Sequence, residues 1–428
     1  MIEKIFKLQE NNTTINTEIR SGLTTFLAMV YIVPVNASIM SLTGMPFDAL
    51  ITATACVTII ATLLNAFWSN TPIAMSVGMG LNAYFTFGLV KGMQIPWQSA
   101  LGIVMISGLI FLVLSFTKFR VWVLESVDLN IRRAISAGIG LFIAFIGMHG
   151  MGFIVANKST LVSMGDMSDP KVLLGIFGFL TASFFYMRKI KGAFLYSIVL
   201  TTTIAWILGI AKLPEHIFST PASLAPIVFK FDIESVLKLS FLPVIITFLI
   251  TDMFDTIGTL AGVGLRANLF KKDSKKLQKT LEADALATVI GASLGTSTTT
   301  SFIESAAGVE EGGRTGLSSF VTAILFITTL FFLPFFKSIP PSAIYAILVM
   351  VGVLMFSELK NIDFKDPVIL ISSFLTIFLM PLTYSITMGL SAGFFTYFVL
   401  ALIQQDKEKI NIGSSILALI GLISFWIS

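Results

Sequence analysis

Charge is scarce in this sequence. Only 12% of its 428 residues are Asp, Glu, Lys or Arg, about half the share found in a soluble domain. Cysteine is nearly absent: the single Cys56 allows no internal disulfide and belongs to no CxxC pattern. It sits inside an apolar run and reads as packing. The two histidines, His149 and His216, fall at or beyond the ends of apolar runs. No zinc constellation, no metal site and no cofactor is therefore expected. Residues 1–19 are polar and lack an apolar h-region, which argues against a cleavable signal peptide. The net charge of +4 is spread over short loops and signals no nucleic-acid partner.

What is present is oil. Hydrophobic residues make up 55% of the chain, mean hydropathy is +0.90, and apolar runs near 20 residues long recur. A bilayer core about 30 Å thick needs helices of that length. The pattern predicts an all-α polytopic membrane protein surrounded by a lipid bilayer. A β-barrel would show short alternating segments instead.

Spans are predicted near 20–42, 48–68, 72–92, 98–116, 131–154, 172–187 and 192–210. A polar stretch, 211–238, precedes a second set near 239–263, 281–294, 296–313, 315–336, 342–357, 367–382 and 385–404. A final apolar segment, 411–427, is left over, and the sequence leaves open whether it crosses or lies along the interface. Positive charge tests the alternation. With the N-terminus in the cytoplasm, 21 of the 28 basic residues fall inside, in clusters such as Lys118, Arg120, Arg132 and Arg133, or Arg266, Lys271, Lys272, Lys275, Lys276 and Lys279. The expected location is the plasma membrane, multi-pass.

Fourteen spans divide into seven and seven. An odd number per half gives the halves opposite topology, the layout of inverted-repeat transporters. The third span of each half is also unlike its neighbours. One reads "NTPIAMSVGMGLNAYF" (70–85) and the other "GTSTTTSFIESAAGV" (295–309). Each begins polar and poorly helical and turns glycine-rich or small midway. Extended backbone cannot face lipid, because its N–H and C=O groups would be unpaired. Interrupted segments at matching positions point to a binding site at the midplane.

Acids inside spans mark the same region. Asp252 and Asp255 lie in "ITDMFDTIGTLAGVG" (250–264), Asp284 in "LEADALATVIGASLG" (281–295), and Glu304 in the second interrupted stretch. A carboxylate at the bilayer centre costs roughly 2.5–3.5 kcal/mol on insertion scales and usually serves a substrate or proton pathway. Asp252, Asp255, Thr256 and Thr259 are spaced to share one helix face, and Gly258 and Gly262 permit close helix approach. A structural pairing role is the plain alternative for Asp255, and helix N-terminal capping for Asp284. No basic residue sits at comparable depth. Acids buried without cations suit a proton-coupled carrier and a ligand that brings N–H donors. Asn82 offers a donor and an acceptor on the facing span, and Tyr84 or Phe85 could stack on a flat ring. Among 39 Phe, simple packing is the competing reading.

Together "SVGMGLNAYF", "DMFDTIGTL" and "GTSTTTSFIESAAGVEEGGRTG", with "RAISAGIGLFIAFIGM" (133–148) and "EADALATVIGASLG" (282–295), resemble the AzgA-like hypoxanthine/adenine/guanine permeases. These belong to the nucleobase–cation symporter-2 group of the xanthine/uracil permease superfamily. The likeness covers nearly the whole chain. It implies 14 transmembrane segments in two inverted repeats of seven, with short strands pairing in spans 3 and 10. It implies a core domain from 1–130 and 239–338 and a gate domain from 131–238 and 339–428. The partners implied are a purine nucleobase and a proton, and the fold leaves room for a homodimer. By motif matching Glu304 takes the acid role of span 10, Asn82 the polar role of span 3 and Asp284 the acid role of span 9. The expected substrate contacts are Glu304, Asp252, Asn82, Thr300 and Phe85, and the expected proton-coupling groups are Asp255, Asp284 and Glu304. In span 8 both acids stay open. Asp252 matches from the start of the motif and is preferred, whereas Asp255 matches when the following glycine and threonine are the anchor.

Other classes fit less well. An anion carrier of the same fold would meet repulsion from these acids. "DMFDT" resembles half of an aspartate-rich metal motif, but a prenyltransferase needs two. An aspartyl intramembrane protease needs a GxGD aspartate, which the chain lacks. A channel does not explain an interrupted pair with four acids. The chain is read as a transporter and not an enzyme.

Overall fold

The computed structural model describes residues 2–117, 127–267, 269 and 275–427, with the backbone alone at 261, 262, 265–267, 426 and 427. Lys118, Arg120, Lys271 and Lys272, and the side chain of Arg266, lie outside the described residues, and Gly262 is described in its backbone alone.

The protein is predominantly helical. Among the described residues, eight helical stretches are long and apolar enough to cross a membrane, among them Phe47–Trp68, Leu129–Gly150 and Ile386–Gln404, and four shorter apolar helices accompany them. The loop acids that interrupt the apolar runs cap these helices. Asp128, Asp169 and Asp366 accept from the backbone N–H groups of Asn130, Lys171 and Val368. Pro170 and Pro367 follow at the first helical position, where their missing N–H costs nothing. Helix Lys275–Leu294 carries too much charge to stand among the apolar spans, and the two interrupted segments are not continuous helices. Fourteen crossings therefore remain an expectation.

Several runs are cut where the sequence suggested continuity. The first breaks into Ile15–Met29 and Ile32–Ser41, because Pro34 has no N–H for the Val30 carbonyl. That carbonyl takes the Val33 N–H instead, at 3.3 Å. The run expected at 315–336 is Gly316–Thr329 and then a short helix, Leu333–Ser338, with Pro334 at its start. The run expected at 131–154 stops at Gly150, and an exposed hairpin pairs Ile154–Asn157 with Leu161–Met164. The leftover segment forms helix Ile412–Ile427, which doubles back along Ile386–Gln404. Gly421 lies against the Ser391 backbone, and Phe425 meets Phe395 edge-on at 6.4 Å. Lys409 ties this turn to Asp366 and Asp406, both at 2.6 Å.

Both interrupted segments contain a three-residue strand. Met75–Val77 and Thr299–Ser301 pair antiparallel, Met75 opposite Ser301 and Val77 opposite Thr299. A two-stranded sheet has two open edges, and all six residues are buried. Threonines on the flanking helices close both edges in the same way. Thr62 Oγ1 accepts from Met75 N–H (3.1 Å) and donates to Met75 C=O (2.9 Å). Thr288 Oγ1 accepts from Thr299 N–H (3.1 Å) and lies 2.9 Å from Thr299 C=O. Replacing Thr62 by Val keeps the shape and leaves a buried N–H and C=O unpaired, at a cost of about 1–3 kcal/mol for each such group. Thermal unfolding in detergent should show Thr62→Val clearly destabilised. Thr203→Val, which loses one exposed bond to Val199 C=O, should melt like the wild type.

Candidate functional site

The sheet sets the height of the site, since both chains leave it as short helices. After Val77, Gly78 leads into Met79–Ala83, which continues as a π-helical stretch, Tyr84–Gly92. A π-helix is rare and commonly marks function. After Ser301, residues 302–304 turn into Ser305–Glu310 with Glu304 at the N-cap. The glycines that follow let this short helix lie close against Ile15–Met29. A Cβ at Gly308 would fall 2.1 Å from Thr25 Oγ1, and Gly312 adopts a φ of +100°. Glu18, wholly buried, then accepts from the backbone N–H groups of Arg314 (2.8 Å) and Ser318 (3.1 Å). The sequence reading passed over Glu18. Its place near a polar N-terminus gave no sign that it caps a helix some 300 residues away.

Helix Leu242–Ala267 brings its two acids to different surroundings. Asp252 is 2% exposed and turns toward helix Lys275–Leu294, with Oδ2 at 3.0 Å from Thr288 Oγ1. Asp255 is only partly buried and lies within electrostatic reach of Glu304, which is also partly buried. The shared face expected for Asp252, Asp255 and Thr256 is thus divided. Residues three apart differ by about 60° around a helix, which is enough to send Asp252 into a helix contact and to leave Asp255 on a more open side. On the same open side Gly258 is exposed with no atom near its would-be Cβ, and Ile303 is 57% exposed.

Behind this open side runs a buried polar network. Thr300 Oγ1 and Thr256 Oγ1 are 2.8 Å apart, and Thr256 donates to Asp284 Oδ2 at 2.6 Å. Ser301 Oγ reaches Asp284 Oδ1 at 3.5 Å. Thr288 has one hydroxyl proton and two acceptors, Asp252 Oδ2 and Thr299 C=O. A proton on Asp252 satisfies both contacts, since the carboxyl then donates to Thr288 and Thr288 donates to the strand. Among the described residues, Asp252 Oδ1 and the hydroxyls of Ser297, Thr298 and Thr299 have no hydrogen-bond partner. None of Asp252, Asp255 and Glu304 contacts a cation among the described residues.

The remaining expected site residues lie deeper. Asn82 is fully buried and donates to Asn36 Oδ1 at 2.5 Å, and Asn36 donates in turn to Thr54 at 2.7 Å. Phe85 is fully buried in the main apolar cluster. Thr300, 3% exposed, belongs to the buried network. Tyr31, absent from the sequence expectations, donates to Glu304 Oε1 at 2.5 Å.

Whether the open side faces water can be probed with the chain's sole thiol removed. In a Cys56→Ser background, Gly258→Cys and Ile303→Cys should react with a water-soluble maleimide. Ala287→Cys, at a fully buried position, should not. Unreactive thiols at 258 and 303 would place that face against lipid.

The profile of the permease family matches residues 16–392. The chain is 38% identical to the adenine permease AdeP of Escherichia coli, over 94% of this chain and 90% of that one. It is also 38% identical to the guanine/hypoxanthine permease PbuO of Bacillus subtilis, over 92% and 93%. Among solved structures it is similar in fold to the transmembrane domain of a cyanobacterium bicarbonate transporter, BicA. The TM-score there is 0.60, at 15% identity over 96% of this chain and 95% of that one.

Proposed function

Because this chain belongs to the permease family, with a family match over most of its length, we propose that it imports purine nucleobases by proton symport and alternating access. It is a multi-pass membrane protein and a transporter, not an enzyme. The relatives named as adenine and guanine/hypoxanthine permeases supply the substrate class. The observation that carries the reading is the pair of acids, Asp255 and Glu304, both partly buried, within electrostatic reach of each other and without a cation contact among the described residues. Two acids suit a ligand rich in N–H donors and repel an anion.

In this reading the base lies between helix Leu242–Ala267 and residues 302–304, held by Glu304 and Asp255. Exposure favours Asp255 over Asp252 for this contact. Asp252, Thr288 and Asp284 form the proton-holding layer behind it, with Thr300 linking that layer to the strand. Asn82 and Phe85 brace the opposite wall from within. The N-terminus is cytoplasmic and the membrane is the plasma membrane. The core (1–130 and 239–338) moves against the gate (131–238 and 339–428) to alternate access.

Removing a charge-assisted hydrogen bond costs roughly 1.5–3 kcal/mol, so Glu304→Gln should weaken binding of hypoxanthine or adenine by about ten- to a hundredfold. Asp255→Asn should do the same. Asp252→Asn, whose amide can still donate to Thr288, should keep binding and lose proton-driven uptake. Calorimetry beside uptake in proteoliposomes separates the two, and the opposite pattern would return the substrate contact to Asp252. Accumulation should collapse when an uncoupler removes the pH gradient, whereas accumulation that follows sodium instead would overturn proton symport.

A further inference from the structure

Tyr31 lies at the break in the first apolar run, between Ile15–Met29 and Ile32–Ser41, and is 1% exposed. Its ring meets Phe194 edge-on, with centroids 5.2 Å apart and planes at 88°. Phe194 belongs to helix Ala193–Ile207, so the ring is held from a second element. Its hydroxyl reaches Glu304 Oε1 at 2.5 Å. A phenol gives up its proton far less readily than a carboxylic acid, so Tyr31 is the donor and Glu304 the acceptor. Among the described residues no other side chain bonds this carboxyl. Glu304 as a residue is only partly buried, whereas Tyr31 behind it is 1% exposed.

We propose that Tyr31 is a positioning residue for the binding site. It occupies Glu304 Oε1, fixes the rotation of the carboxyl, and leaves Oε2 as the oxygen offered to the cleft. This rests on the purine-transport reading above and adds a specificity rule to it. The oxygen on offer is an acceptor, so the ligand must present an N–H donor at that point. A ring nitrogen bearing only a lone pair is rejected there. The break in the first run has a use in this arrangement: an uninterrupted helix would carry residue 31 along a different path past Glu304. Phe194 braces the ring edge-on in this conformation.

The test uses the full-length protein in detergent. Wild-type and Tyr31→Phe protein are titrated with hypoxanthine and adenine by calorimetry. The Glu304 carboxyl band is identified by infrared difference against Glu304→Gln. Tyr31→Phe keeps the ring and its contact with Phe194, so its melting temperature should stay close to the wild type. Its affinity should fall about tenfold or more, and the Glu304 band should shift even without ligand. A purely structural role would move the melting temperature and leave the band in place. Wild-type protein that binds neither base overturns the substrate reading, and the band shift alone then decides the positioning role. Wild-type binding with equal binding by Tyr31→Phe, or an unshifted band, overturns the positioning role. Should Tyr31→Phe fail to fold, fluorotyrosine incorporated at all seven tyrosines makes the phenol a stronger donor. It should shift the same band in the opposite direction, and no shift would overturn the proposal.

Discussion

An extended strand in a lipid-bounded protein must have every N–H and C=O met from inside. Here that demand falls on two strands of three residues each, and the surrounding architecture follows from meeting it. The strands satisfy each other on one side. On their outer edges Thr62 and Thr288 each clasp both backbone groups of a single residue. A threonine can do this because its hydroxyl both donates and accepts and its methyl still packs against apolar neighbours. The helices that bear these threonines, Phe47–Trp68 and Lys275–Leu294, must therefore lie at fixed distances from the sheet. Their positions in turn fix where Asp252, Asp284 and Thr256 meet.

The second clasp ties backbone pairing to carboxyl protonation. At Thr62 the hydroxyl serves the strand and nothing else is required of it. At Thr288 the same hydroxyl also faces Asp252. The charge on Asp252 and the integrity of the Thr299 edge are thereby coupled through one proton. A change of protonation at Asp252 can be felt in the strand that leads to Glu304, three residues on from Ser301. Such coupling needs no long pathway, only a shared hydrogen.

Much of this was legible in the sequence. Apolar run length reported a multi-pass helical protein, and the two broken polar stretches, 70–85 and 295–309, reported extended backbone kept from lipid, while the family resemblance implied that it pairs as strands. The family resemblance drawn from "GTSTTTSFIESAAGVEEGGRTG" and its companions holds over residues 16–392. Orientation around a helix was less legible. Asp252 and Asp255 are close enough in the 3.6 pattern to pass for one face, and only the packing of helix Lys275–Leu294 separates them. Asn82 looked free to meet a ligand because Asn36, its partner, lies 46 residues earlier in an unremarked run. Tyr31 was missed since "MVYIVPV" reads as plain apolar sequence. The available signals were a phenol hydroxyl that burial obliges to find a partner and the Pro34 that breaks the run.

The strand pair has a further consequence, for biogenesis. Met75–Val77 is synthesised more than two hundred residues before Thr299–Ser301. Until the later strand arrives, the earlier one has only the Thr62 side closed. During insertion it must be shielded by water, by the translocon or by a chaperone rather than by its native partner. The binding site therefore cannot mature in the first half alone. Truncation or a stall before residue 299 would leave an unpaired strand edge in the membrane, which quality-control proteases can recognise.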